Sequence, residues 1–204
     1  FCFALLSRQP EKVLLGRDQL GQSFLFYGRD SQQNLLCSNR LPLLLQQPGL
    51  CRDLDLLALQ DYLGLGYIPS PRTIYQSVAK VRPASLVLFT GPQTEGTSLT
   101  YWEPVYLPKR VLPWPEVGRE CRRLLEQAGR RCLQGHAQAN YLLSGGIDSG
   151  VVLGLTAPLQ ERAGEAISIA FDHPLYDEST LAGLTAARHR LPQRVRKVTP
   201  GDIE

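Results

Sequence analysis

Apolar positions in the first part of the chain come in short bursts separated by turn-formers. Runs at 1–6, 12–15, 23–27 and 34–37 are divided by Gln9-Pro10, by Asp18 to Gly21, and by Gly28 to Ser31. Bursts of that length with that punctuation predict an antiparallel meander. Two helices are expected next. Ser38-Asn39 can cap 41–47, and Asp53 can cap 54–63, where Leu56, Leu57, Leu59, Tyr62 and Leu63 recur at helical spacing. Past the turn Tyr67-Ile68-Pro69-Ser70-Pro71, the runs 85–89 and 98–102 predict a hairpin around Gly91 to Gly96.

Four prolines (Pro104, Pro108, Pro113, Pro115) then exclude a helix or central strand and mark a boundary. The expected organisation is a β-rich domain over 1–103, a linker over 104–115 and a second domain over 116–204. The second domain opens on a helix over 116–132. Val117, Cys121, Leu124, Leu125, Ala128 and Cys132 line one face of it, and Glu120, Arg123, Glu126 and Arg130 lie largely outside that face. From Ala139 onward the pattern is strand (141–143), loop, helix (150–159), strand (166–171), helix (178–190) and strand (194–198). That alternation predicts βαβ units on a parallel sheet.

Composition narrows the classes without choosing one. The 204 residues allow one domain or two small ones. An apolar fraction of 43% with 20% charged residues excludes a disordered or fibrous chain. No run approaches the roughly 18 apolar residues of a membrane span, so no membrane association is expected. Net charge is +3, too mild and dispersed to point to a nucleic-acid partner. Five cysteines make an odd count without a C-x-x-C pair, so buried reduced thiols in a cytoplasmic protein are expected. Met is absent even at position 1, so the chain reads as an internal piece of a longer protein.

The segment Tyr141-Leu142-Leu143-Ser144-Gly145-Gly146-Ile147-Asp148-Ser149-Gly150 carries the chemistry. It falls at the carboxyl end of a strand turning into a helix, where open α/β sheets bind ligands. Gly145 and Gly146 would allow positive φ and let the backbone approach an anion. Unpaired amides at the helix start suit a phosphate. Ser144 and Ser149 add hydroxyls, and Asp148, repelled by phosphate itself, is suited to hold Mg²⁺ bridging to it. A plain Gly-Gly turn with an Asp-Ser cap is the simpler alternative. Neither G-x-x-x-x-G-K-[ST] nor G-x-G-x-x-G occurs at this strand.

Ser144-Gly145-Gly146-Ile147-Asp148-Ser149 resembles the PP-loop of ATP pyrophosphatases, and the chain as a whole is similar to the glutamine-dependent asparagine synthetases. Phe1-Cys2-Phe3-Ala4-Leu5 resembles that family's F-A-F-A-L strand, and Arg17-Asp18-Gln19-Leu20-Gly21 its R-D-x-x-G turn. Asp61-Tyr62-Leu63 through Gly66-Tyr67-Ile68-Pro69 to Thr73-Ile74-Tyr75 is similar to the helix and loop before its K-L-x-P-G strand, which reads Lys80-Val81-Arg82-Pro83-Ala84 here. Tyr101-Trp102 and the later Ser168-Ile169-Ala170-Phe171 with Tyr176-Asp177-Glu178-Ser179 also fit. Phe24, Asn39 and Gly150 depart from the family's usual Pro, Glu and Ser.

The resemblance implies a two-domain α/β and α+β fold. Its first part would be a partial N-terminal-nucleophile (Ntn) glutaminase domain. The second would begin a parallel-sheet PP-loop domain of the adenine nucleotide alpha hydrolase kind. It also implies the substrates ATP, aspartate and glutamine, leaves a homodimer open, and implies an activated β-aspartyl-AMP that ammonia converts to asparagine. Ser144, Gly145, Gly146, Asp148 and Ser149 would grip the pyrophosphate portion of ATP, with Asp148 on Mg²⁺. Leu143 and Ile169 would lie against the nucleoside, although plain sheet core fits them equally. Asp177-Glu178 reads most simply as a helix start, and Phe171 and Tyr176 as core. The glutaminase cysteine nucleophile is expected upstream of Phe1 and the second synthetase loop beyond Glu204, so little activity is expected of the 204 residues alone. A paralogue acting on another carboxylate, a non-catalytic assembly domain and a sulfur-inserting tRNA enzyme are the alternatives.

Overall fold

The computed structural model describes residues 1–202 apart from Arg110 and Ala163. It divides into two compact units, Phe1–Pro108 and Lys109–Glu204.

The first unit contains seven strands and two helices: β1 (Cys2–Arg8), β2 (Glu11–Arg17), β3 (Phe26–Arg29), β4 (Leu35–Ser38), α1 (Leu41–Leu45), α2 (Leu56–Leu65), β5 (Val78–Lys80), β6 (Ser85–Phe89) and β7 (Thr97–Thr100). The expected antiparallel pairing is present, but as two sheets rather than one meander, ordered β1-β2-β6-β7 and β4-β3-β5. The strand expected at 23–27 begins at Phe26, and the three-residue β5 was not anticipated. Alternation along β6 buries Ser85, Val87 and Phe89, and Val87 lies in register with Leu15 of β2. Leu15, Val87 and Phe89 meet Leu25 and Val81 in one core, and the Tyr27 and Phe89 rings pack edge-on at 5.7 Å between centroids.

The R-D-x-x-G turn is densely hydrogen-bonded. Arg17, 3% exposed, donates to the carbonyls of Ser23 (2.7 Å), Val81 (2.9 Å) and Gly21 (2.7 Å). Burial lowers its pKa, and the neighbouring Asp18 opposes that shift. Asp18 Oδ1 accepts from the amides of Leu20 and Gln22. Gly21 sits at φ +65, and a Cβ there would come 2.8 Å from Pro83 Cγ. The turn is therefore a structural knot: five polar groups are satisfied by one Arg-Asp pair, as buried polar groups require. The guanidinium also lies 4.9 Å from the ring centroid of Phe24, a cation–π contact at the position where the family usually has Pro.

α2 starts two residues later than expected. Its cap is Asp55, whose carboxylate accepts from Leu57 and Ala58, and it ends at Gly66 in the left-handed region. Asp53 instead offers its carbonyl to Gln76. Of α2 only Ala58 is buried, so the leucine face is largely exposed.

The second unit contains α3 (Trp114–Leu133), β8 (Tyr141–Leu142), α4 (Ile147–Thr156), a 3-10 turn (Ala157–Leu159), β9 (Ala166–Phe171), α5 (Ser179–Arg188) and β10 (Gln193–Val198). β10-β9-β8 form a three-stranded sheet whose pairs are parallel. Tyr141 and Leu143 share a core with Leu153 of α4 and with Ala182 and Ala186 of α5. In β9, Ala166, Ser168 and Ala170 are buried while Ile169 and Phe171 are exposed, so the helices cover one face of the sheet. α3 begins behind Pro113 with a Pro in its first turn, and its charged side carries Arg123–Glu120 and Arg122–Glu126 ion pairs. None of its residues is fully buried, and most of the predicted apolar face, including Leu124 and Leu125, is exposed.

The five cysteines are free. Cys2 is half-buried and Cys37, Cys51, Cys121 and Cys132 are exposed, which overturns the expectation of buried thiols. Their elements explain it: Cys37 points away from the core of a short strand, Cys51 lies outside any helix or strand, and Cys121 and Cys132 sit on α3. Among the described residues no helix is long and apolar enough to cross a membrane.

Candidate functional site

The Ser-Gly-Gly-Ile-Asp-Ser segment connects β8 to α4. β8 is held at its end by Leu143 N–H donating to the Ile167 carbonyl at 2.8 Å. At its start the Tyr141 hydroxyl is hydrogen-bonded with Thr156 and Gln160. This rigid base fixes where the chain leaves the sheet.

α4 begins at Ile147, three residues before the predicted start, with Gly146 as its cap. Asp148 and Ser149 therefore stand in the first helical turn rather than in a loop. No side chain caps this end, so its first-turn amides present the positive end of the helix dipole. Ser149 Oγ accepts from the Ser144 amide (3.2 Å) and lies 2.9 Å from Ser144 Oγ, which in turn accepts from the Gly146 amide (3.1 Å). The two hydroxyls thus brace the turn. Asp148 is exposed, and its carboxylate makes no hydrogen bond or ion pair among the described residues. A carboxylate held ready in the first turn without a protein partner suits an oxygen ligand for a cation.

The expected positive φ at the two glycines is not found. Gly146 has φ −75, and Gly145 is not among the positive-φ residues. Gly145 is required by crowding instead, since a Cβ would come 2.9 Å from Glu178 Cβ and 3.0 Å from Leu181 Cβ. The start of α5 presses directly on the loop.

Beside the loop is a cleft of about 270 Å³ lined chiefly by apolar side chains. Leu143, Ser144 and Ile169 come together on it, whereas Gly145, Gly146, Asp148 and Ser149 are not in its lining. Leu143 is itself buried, so its side chain belongs to the core, and Ile169 is half exposed. Phe171 and Tyr176, read as core, are exposed instead and line the cleft with Glu178. Period-two alternation from Ile167 through Ile169 to Phe171 could have found the first of these. Nothing local distinguished Tyr176 or Glu178.

Asp177 Oδ1 accepts from the Ser179 amide at 3.0 Å. This bond and the Ser179 hydroxyl hold its carboxyl below the usual range, and the Lys197 charge adds to the effect. Among the described residues no three His, Cys, Asp or Glu side chains cluster to hold a metal. A larger cavity of about 380 Å³ lies within the first unit, among residues that include Lys12, Gln33 and Gln93, and gathers none of the predicted site residues.

Residues 1–102 match the glutamine amidotransferase domain family, and residues 120–204 match the asparagine synthase family. The first match covers half of the chain, which belongs to the glutamine amidotransferase domain family, and the rest is similar to the asparagine synthase family. Over 200 residues the chain is 24% identical to asparagine synthetase [glutamine-hydrolyzing] 1 of Bacillus subtilis, covering 98% of this chain and 31% of that protein. It is 26% identical over 168 residues to asparagine synthetase [glutamine-hydrolyzing] 3 of the same organism, covering 81% of this chain and 26% of that protein. A Methanocaldococcus jannaschii protein provisionally named asparagine synthetase [glutamine-hydrolyzing] 2 is 25% identical over 186 residues, covering 88% and 35%. The chain thus spans about a quarter to a third of the length of these relatives.

Proposed function

We propose that the second unit carries the ATP-binding loop of an asparagine synthetase with a PP-loop fold. Residues 104–115 would then link it to the glutamine amidotransferase domain. The observation that carries this reading is the uncapped first turn of α4, with Asp148 unpartnered in it, beside an apolar cleft at the carboxyl end of a parallel sheet. Amides and hydroxyls from Ser144 to Ser149 would receive the pyrophosphate portion of ATP. Ile169, Phe171 and the Leu143 backbone would receive the nucleoside.

Asp148 would hold Mg²⁺, which neutralises charge on the polyphosphate when bound. One carboxylate from the chain suits this ion, which keeps waters and takes phosphate oxygens. In the whole protein, glutamine hydrolysis would supply ammonia. The β-carboxylate of aspartate would attack the α-phosphorus, breaking its bond to the bridging oxygen and releasing pyrophosphate. Ammonia would then displace AMP from the activated carboxyl carbon. Loop donors contribute by stabilising charge that builds on the departing pyrophosphate.

Calorimetric titration of the 204-residue protein with ATP and magnesium tests the reading. Saturable binding that is lost in Asp148→Ala is expected, and an absence of heat with either pyrophosphate or ATP would overturn it.

A further inference from the structure

The Gly145 amide, which would meet a phosphate oxygen, already has an acceptor. It donates at 3.1 Å to Glu178 Oε2, from 33 residues further along the chain. Glu178 is the residue immediately preceding α5, and the close approach of its Cβ to Gly145 leaves the carboxylate at the mouth of the loop. Two further loop amides, those of Ser144 and Gly146, are served by the Ser149 and Ser144 hydroxyls. A hydroxyl can rotate and offer its hydrogen to an arriving anion, whereas an ionised carboxylate only accepts. A phosphate oxygen and Glu178 therefore compete for the same N–H, and their like charges repel.

Resting on the nucleotide reading of this loop, we propose that Glu178 is an internal competitor for it. Its carboxylate holds the Gly145 amide and disfavours a bare polyanion, so the loop selects a polyphosphate whose charge is already reduced by magnesium. Glu178 is thus a specificity-determining residue that must release the amide for binding to occur.

Titrations of the 204-residue protein and of Glu178→Gln with inorganic pyrophosphate, in EDTA and in excess magnesium, test this. Glutamine keeps the shape and removes the charge. Binding of metal-free pyrophosphate about tenfold tighter in E178Q is expected, with a smaller gain for the magnesium complex. Glu178→Ala, which cannot reach the amide, is expected to behave likewise. Unchanged or weaker metal-free binding in both variants overturns the proposal, and so does an equal gain with and without magnesium. The two readings fail separately. If Mg·ATP binds the unaltered protein but the variants show no gain, only the competitor is lost. If pyrophosphate binds tighter in the variants while ATP binds none of the proteins, only the nucleotide assignment is lost.

Discussion

Arg17 and Val81, 64 residues apart, are joined by a 2.9 Å hydrogen bond from a guanidinium nitrogen to a carbonyl oxygen. This bond, with those to Gly21 and Ser23, ties the end of β2 to the segment leading into β6. Replacing Arg17 by Met would strand one buried carbonyl and two part-buried ones. A loss of about 3 kcal/mol from the first unit is expected, read from urea unfolding followed by tyrosine fluorescence. Arg17→Lys should recover less than half of it, because an ammonium cannot reproduce the planar fork.

Ala84 stands at φ 52 where the family's K-L-x-P-G strand has glycine. A non-glycine residue in that region costs about 1–3 kcal/mol, against roughly 0.8 kcal/mol for its buried methyl group. Ala84→Gly should therefore be neutral or stabilise by about 1 kcal/mol. Ala58→Gly, within α2 and equally buried, should destabilise by about 1 kcal/mol or more. Paired denaturation curves that rank the two variants in the opposite order would refute the strain argument.

Asp148 has no structural partner among the described residues, so its loss should leave folding intact and alter only ligand binding. Asp148→Asn is expected to retain the melting temperature. It should weaken Mg·ATP binding at least tenfold, and metal-free pyrophosphate binding much less. A matched fall in both would assign Asp148 to the fold of the loop rather than to a cation.

Asp177 supplies a pH dependence. Bonds from the Ser179 amide and hydroxyl lower its pKa in the folded chain, so the folded state binds its proton less readily than the unfolded state. Its contribution is complete above the ordinary carboxylate range and is lost as pH falls through the lowered value. Acid unfolding of Asp177→Asn should therefore differ from the unaltered protein at neutral pH and converge with it in acid. Amide exchange at Ser179 should rise over the same acid interval.

Elements whose information is local could be read in advance. The runs of β1, β2 and β6 are set off by turn-formers, β6 alternates as a half-buried strand, and prolines delimit the start of α3. β5 escaped notice because Val78-Ala79-Lys80 is too short to show a period, and its place beside β3 is set by distant pairing. The start of α4 was misplaced because Gly146-Ile147-Asp148-Ser149 lacks strong helix formers, and tertiary packing on Tyr141 and Leu143 supplies what propensity does not. The tight connection from strand to helix at Ser144 to Gly146 was legible from its residue types. The reason for Gly145 was not, since it lies in a helix that begins 34 residues later. Phe171 and Tyr176 illustrate the same limit: hydrophobic residues near a strand end read as interior until the sheet shows which face is covered.

The thiols offer a practical handle. Cys37 and Cys51 lie in one unit and Cys121 and Cys132 in the other, and all four are exposed. Single-cysteine derivatives retaining one thiol from each unit would accept a donor and an acceptor dye without disturbing a packed interior. Energy transfer between the dyes would then test, in solution, whether adding ATP and magnesium changes the distance between the labelled positions.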